Sequence, residues 1–118
     1  MYLASNGITI KAAYGAVNGD TGVINGVTYT VVNKAMLLQM VNNGDDVTKV
    51  CTSLVTNMID VFYAKPTFNQ PIGNWDVGNV TTMYGMFASA TDTDFNQEIS
   101  SWDVSNVTDM TDMFSNAV

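Results

Sequence analysis

The feature that most constrains the fold of this chain is an internal repeat. Residues 68–81 recur at 95–108, and both copies contain Phe-Asn-Gln, then Trp-Asp-Val, then Asn-Val-Thr. A shorter stretch occurs three times, at 55–62, 80–87 and 107–114, and its terminal phenylalanines lie 25 and 27 residues apart. Such a period is typical of solenoids that stack one strand and one short helix per turn. Repetition therefore predicts that residues 55–118 form stacked coils.

Apolar spacing predicts the elements within each repeat. Met110, Met113 and Phe114 lie at i, i+3 and i+4, as on one face of an α-helix, and the two earlier copies reproduce this spacing. The Trp-Asp-Val stretch indicates a short strand that ends in a turn. Asn57, Thr82 and Asp109 precede the first methionine of each copy, where a helix N-cap is expected. The side chains predicted to form the shared core are Phe68, Ile72, Trp75, Val77, Val80, Met83, Met86, Phe87, Phe95, Ile99, Trp102, Val104, Val107, Met110, Met113 and Phe114.

Residues 1–54 do not repeat and are predicted to cap the first coil. Asn25-Gly26, between two β-rich runs, predicts a hairpin, and residues 8–12 and 46–55 are predicted strands. Asn33 is the predicted N-cap of a helix that ends at Gly44. The predicted fold is thus α/β: a short solenoid with one strand and one short helix per coil, and an N-terminal cap of a β-hairpin plus a helix. The cap and the repeats at 55–118 are expected to fold as one unit.

Composition excludes several functional classes. Eleven acidic residues against four lysines give a net charge of −7, and there is no arginine and no histidine. This balance argues against nucleic-acid binding, which depends on cations that contact phosphate, and it removes catalytic schemes that need imidazole. No apolar run approaches the length of a membrane span, and no signal peptide is visible. We therefore expect a protein that is not an enzyme, has no cofactor and does not cross a membrane.

Polar residues that recur at matching repeat positions have two interpretations. The pairs Asn69/Asn96, Asp76/Asp103 and Asn79/Asn106 could form a ligand ladder or calcium sites, but turn residues that satisfy backbone groups explain them better. The acidic pair at 76 and 103 is also the basis of an alternative, glycosidase-like hypothesis.

Calcium binding is a weaker hypothesis that rests on acidic loops. Asp92 and Asp94, with the acidic pair at 45–46, are weak calcium candidates, because they lack the spacing of an EF-hand loop. No metal is therefore expected.

The repeat also resembles that of a known group of proteins. The string Phe-Asn-Gln-x-Ile-x-x-Trp-Asp-Val-x-Asn-Val-Thr-x-Met-x-x-Met-Phe, at 68–87 and 95–114, resembles the repeat of BspA-like leucine-rich-repeat surface proteins of bacteria, a repeat also present in some phage-encoded proteins. Residues 20–54 resemble the lead-in that often precedes it. The resemblance implies a leucine-rich-repeat-like solenoid that is extracellular or surface-displayed, takes part in adhesion or other protein contacts, and has no enzymatic activity.

Two functional hypotheses therefore stand side by side. The first is a non-catalytic surface module that mediates adhesion or protein contacts, with Tyr63 and Tyr84 as possible contact residues. The second is a structural subunit of an extracellular filament or a virus particle that assembles through its ends. The last repeat stops where another Phe-Asn-Gln unit is expected, which predicts exposed methionine and phenylalanine side chains there unless a partner or a further repeat covers them.

Overall fold

The computed structural model describes residues 1–88 and 95–115. In this part of the chain the elements are β1 (Tyr2–Leu3), β2 (Ile10–Lys11), β3 (Thr21–Ile24), β4 (Val27–Val31), α1 (Lys34–Asn43) and β5 (Val50–Cys51). β1 and β2 pair antiparallel, and a second sheet has the order β3-β4-β5, in which β4 and β5 are parallel.

The hairpin and the helix of the N-terminal region lie where the sequence predicted them. Asn25 and Gly26 connect β3 to β4 with φ angles of 52° and 81°, the positive values that a tight two-residue hairpin turn requires. Asn33 caps α1, because its side-chain oxygen accepts the Met36 amide, and the Gly44 amide closes the other end on the carbonyls of Met40 and Val41. The predicted strands at 8–12 and 46–55 are shorter than expected, with two residues each.

The predicted solenoid of strand–helix coils is wrong. The described chain is a small compact globule with one helix and two small sheets, and all of these elements lie within residues 1–51. The repeats form turns joined by isolated parallel bridges, at Asn57–Thr82 and Thr82–Asp109. No helix among the described residues has the length and apolar character needed to cross a membrane.

The described parts of the repeats form no helix because their amides bond to the neighbouring repeat. We call residues 58–64, 83–88 and 110–115 segments 1, 2 and 3. Alternate amides of segment 1 donate to carbonyls of the next repeat, from Met58 to Thr82 and from Phe62 to Met86. Alternate amides of segment 2 donate in the same way to carbonyls of residues 109–113, for example from Phe87 to Met113. An α-helix needs those amides for bonds within itself.

A residue with positive φ lies at the third position of each segment. It is Asp60 in segment 1, Gly85 in segment 2 and Asp112 in segment 3, with φ angles of 56°, 62° and 55°. This left-handed conformation is incompatible with a continuing right-handed helix. The predicted N-cap residues consequently cap no helix. The side-chain oxygens of Asn57 and Asp109 accept an amide two residues ahead within a turn.

The predicted Trp–Val strands are also turns. The amide of Trp75 donates to the Ile72 carbonyl, three residues back, and that of Val80 donates to the Val77 carbonyl. The next repeat shows the same turns, for example from Trp102 to Ile99. The apolar spacing therefore predicted the burial of Trp75, Val77 and Val80 correctly, although these residues lie in turns and form no strand.

Equivalent aromatic side chains of neighbouring repeats nevertheless stack on each other. The rings of Trp75 and Trp102 lie 6.4 Å apart and within 4° of parallel. Phe87 lies between Phe62 and Phe114, at centroid distances of 5.1 and 5.2 Å. The same apolar cluster includes Leu37 and Val41 of α1, so the N-terminal region and the repeats share a core.

Candidate protein-binding face

The residues predicted to form the repeat core differ in burial along the chain. Those of the earlier repeat are buried: Ile72, Trp75, Val77, Val80, Met83, Met86 and Phe87. In the last repeat Trp102 and Met113 are buried, and Phe95, Ile99 and Val107 are partly buried against the core, as is Phe68 of the earlier repeat. The remaining three are exposed: Val104 at 37%, Met110 at 46% and Phe114 at 54%. We call these three side chains the exposed apolar face.

The exposed apolar face is the counterpart of a surface that is covered one repeat earlier. Met83 and Phe87, which correspond to Met110 and Phe114, are 0% and 2% exposed. Within the described residues, the earlier repeat has neighbours on both sides, whereas the last repeat contacts a neighbour on one side. Phe114, for instance, stacks on Phe87 with its ring planes 2° apart. The exposed apolar face is therefore a side of the last repeat that no other described residue covers.

Backbone donors line this face. The amides of Met83, Gly85 and Phe87 donate to Asp109, Thr111 and Met113 at 2.8, 3.1 and 2.8 Å. The corresponding amides of Met110, Asp112 and Phe114 donate to no group within the described ranges. A row of amides at alternate positions beside exposed apolar side chains resembles the free edge of a sheet, which readily pairs with another chain.

Acidic side chains accompany the exposed apolar face. Asp103 adjoins Val104, and Asp109 adjoins Met110. Hydrogen bonds from the side chain and backbone of Ser105 lower the pKa of Asp103, and equivalent bonds from Thr111 lower the pKa of Asp109. Both carboxylates are therefore ionised at neutral pH.

The two carboxylates of the glycosidase-like hypothesis both accept hydrogen bonds within turns. The Asp76 carboxylate is buried and accepts the Ser53 hydroxyl at 2.6 Å and the Gly78 amide at 2.9 Å. Lys11 Nζ lies 3.9 Å from its Oδ1 atom. Asp103 is exposed and accepts the Ser105 amide at 3.0 Å. Both line a cavity of about 180 Å³, but each accepts the amide two residues ahead in its own turn, which favours the structural interpretation.

The recurring asparagines also serve the backbone. Asn79 donates Nδ2 to the carbonyl of Ser53 in the N-terminal region, and Asn106 donates Nδ2 to the carbonyl of Gly78 in the preceding repeat. The Asn96 amide donates to the side chain of Asn69 across the same boundary. These bonds join neighbouring repeats and support the turn-forming interpretation of the asparagines.

The remaining predicted positions are placed as follows. Asp92 and Asp94, the calcium candidates, lie outside the described residues. Across 1–88 and 95–115, no three His, Cys, Asp or Glu side chains are grouped as a metal ion would need. Tyr63 and Tyr84 are 49% and 39% exposed and belong to segments 1 and 2.

The sequence did not predict the backbone part of the exposed apolar face, because backbone amides are the same for every residue type. It predicted exposed methionine and phenylalanine in the last repeat if nothing covers them, but not that the amides of Met110, Asp112 and Phe114 donate to no described residue. Gly85, in the middle of a predicted helix, was the available clue, because glycine is disfavoured there and favoured at positive φ.

Comparison with known proteins gives a family for the chain. No curated protein and no solved structure matches it. A protein family described as "Mycoplasma protein of unknown function, DUF285" matches residues 31–118, which include α1, β5 and all the repeats. Because this match covers most of the sequence, the chain belongs to the DUF285 family.

Proposed function

We propose that this chain is a non-catalytic, surface-displayed module that binds another protein through the exposed apolar face. The observation that carries the proposal is the exposure of Val104, Met110 and Phe114 at positions whose counterparts in the preceding repeat are buried. A contiguous apolar patch that remains open to solvent is typical of protein contact sites, and Phe114 extends the stacked rings of Phe62 and Phe87 to the surface.

The size of the face is sufficient to contribute to binding. Complete burial of a phenylalanine or methionine side chain contributes about 1.5–3 kcal/mol. Phe114 and Met110 are about half exposed, so a partner that covers both would gain about 2 kcal/mol from these two side chains. Their free amides add directional bonds, each of which contributes about 1 kcal/mol.

Display at the cell surface is supported by the resemblance of the repeat to BspA-like surface proteins. The family match at residues 31–118 is compatible with this, because it spans the same repeats. Protease treatment of intact cells that express the full gene product tests the location. Surface display predicts cleavage without lysis, and complete protection would contradict it.

A pair of matched variants tests the binding role. The double variant Met110→Ser/Phe114→Ser removes the exposed apolar face, and Tyr14→Ser removes a fully exposed aromatic residue in the N-terminal region. Binding to a panel of immobilised extracellular proteins is measured by surface plasmon resonance. We expect the double variant to lose binding and Tyr14→Ser to retain it. Equal binding by the parent and the double variant, with both folded by circular dichroism, would refute the proposal.

Self-assembly is the second candidate, and the row of free amides in segment 3 favours it, since such edges pair with other chains. Sedimentation velocity over a wide concentration range separates the two functions. Oligomers that disappear in the double variant support assembly, and a monomer at every concentration excludes it.

A further inference from the structure

We propose that the partner of the exposed apolar face is an extended segment with an apolar centre and flanking lysine or arginine residues, which pairs by backbone hydrogen bonds with segment 3. The inference rests on the proposed function and specifies the chemistry of the partner. Its evidence is the bonding pattern between repeats and the charge of residues 95–115.

A partner of segment 3 must supply carbonyl groups opposite the segment 3 amides. In segment 2 the amides of Met83, Gly85 and Phe87 all donate to carbonyls of the next layer. Their counterparts in segment 3 are the three free amides, spaced two residues apart. A partner backbone in an extended conformation presents carbonyls at the matching spacing.

The same face also offers acceptors. The carbonyls of Thr81 and Gly78 accept the Thr108 amide and Asn106 Nδ2 from the last repeat. The corresponding carbonyls, those of Thr108 and Ser105, accept no hydrogen bond within the described residues. The partner must therefore offer donors as well as acceptors. A peptide backbone meets both needs, as in the addition of a strand to a sheet edge.

Charge determines the flanks of the partner. All four lysines of the chain lie at or before residue 65, and residues 95–115 contain four acidic residues and no basic one. At the covered surface one repeat earlier, the counterparts of Asp109 and Asp112 are the neutral Thr82 and Gly85. The open face is therefore more acidic than the equivalent covered face, which favours a basic partner.

A second copy of this chain is disfavoured by the same charges. Two copies joined through segment 3 would bring Asp109 and Asp112 of one copy towards those of the other, and segment 3 contains no lysine. Like charges held within a Debye length, about 10 Å at 0.1 M salt, repel one another.

Synthetic peptides test the inference directly. One peptide copies residues 95–115, and a second carries Glu98→Lys, Asp103→Lys, Asp109→Lys and Asp112→Lys on the same apolar pattern. A third has serine at these four positions. Each peptide is titrated into the isotopically labelled protein, and the backbone amide resonances of Met110, Asp112 and Phe114 are followed by NMR.

We expect the lysine peptide to bind at least about tenfold more tightly than the acidic copy at about 0.05 M salt, with the serine peptide between them. The difference should shrink at about 0.5 M salt, and the three amides should become protected from hydrogen exchange. On the protein, Asp109→Asn/Asp112→Asn should weaken binding of the lysine peptide, and Asp45→Asn, an exposed acid elsewhere, should not. Asparagine occurs at the position equivalent to Asp109 in the first repeat, as Asn57, so the variant is expected to fold.

Three results would overturn the inference. Equal affinities for the lysine and acidic peptides would remove the charge argument and leave the proposed protein-binding function intact. Resonance changes confined to residues outside 104–114 would place the site elsewhere. A protein dimer that forms without peptide and is lost in Phe114→Ser would identify a second copy as the occupant. The proposed function itself fails only if the serine double variant binds proteins as well as the parent does.

Discussion

Gly73 lies close against the backbone of the next repeat, and Gly73→Ala tests whether that contact matters. An ideal Cβ at residue 73 would lie 2.6 Å from the backbone carbonyl oxygen of Glu98, about 0.8 Å short of ordinary contact at 3.4 Å. The opposing atom belongs to the backbone, so no side-chain rotation relieves the collision. The two repeats must therefore move apart.

The expected cost follows from two opposing effects. Gly73 does not have a positive φ, so alanine brings no left-handed strain and gains about 0.4–1 kcal/mol by restricting the unfolded chain. Overpacking costs about 1–3 kcal/mol, and relief is resisted because the Trp102 indole donates to the Ile72 carbonyl at 3.0 Å beside the collision. We expect a net destabilisation of about 1–2 kcal/mol.

Urea unfolding followed by tryptophan fluorescence measures this change. With a dependence of about 2 kcal/mol per molar urea, within the typical range, the midpoint should fall by about 0.5–1 M. Ser100 is the equivalent residue in the last repeat and already carries a side chain, so Ser100→Ala serves as the control, with an expected change within about 0.5 kcal/mol. If Gly73→Ala were as stable as the parent or more so, the argument for close contact between repeats would be wrong.

Three further predictions concern the contacts between repeats. Gly85→Ala should destabilise the fold more than Gly7→Ala. Both glycines have positive φ, but only a Cβ at residue 85 would collide with the Asp60 carboxylate. Equal losses of unfolding free energy in urea would contradict this. Trp102→Phe should cost about 1–3 kcal/mol through loss of its indole hydrogen bond and of packing, as measured by thermal unfolding, and an unchanged melting temperature would refute it. Hydrogen bonds from Thr111 lower the pKa of Asp109 in the folded protein, so Asp109 stabilises the fold above its ordinary pKa of 3.8 and loses this effect as the pH falls through the folded pKa. Asp109→Asn should therefore reduce the decrease in the free energy of unfolding at acid pH. An unchanged pH dependence of unfolding would argue against this prediction.

Local sequence signals predicted the N-terminal elements well. Asn25-Gly26 specifies its hairpin turn, and Asn33 and Gly44 bound α1, because each of these signals acts within a few residues. The pairing of β5 with β4 was not predicted, since it joins residues about 20 apart in parallel and depends on how α1 connects them.

Apolar spacing misled the prediction within the repeats. Met83, Met86 and Phe87 are buried as a helical face would be, but turns that bond across repeats bury the same positions. The competing bonds lie 24 to 26 residues away, as from Met58 to Thr82 and from Met83 to Asp109, so no local pattern reveals them.

The sequence alone determined that equivalent residues recur, which of them are apolar, and where one hairpin and one helix begin and end. These properties depend on composition and on contacts within a few residues. The tertiary structure decided that the repeats are turns, that their amides bond to the next repeat, and that Val104, Met110 and Phe114 lie open while their counterparts are buried. Those outcomes depend on which neighbour is present at each layer, and a repeated sequence carries the same local information at every layer.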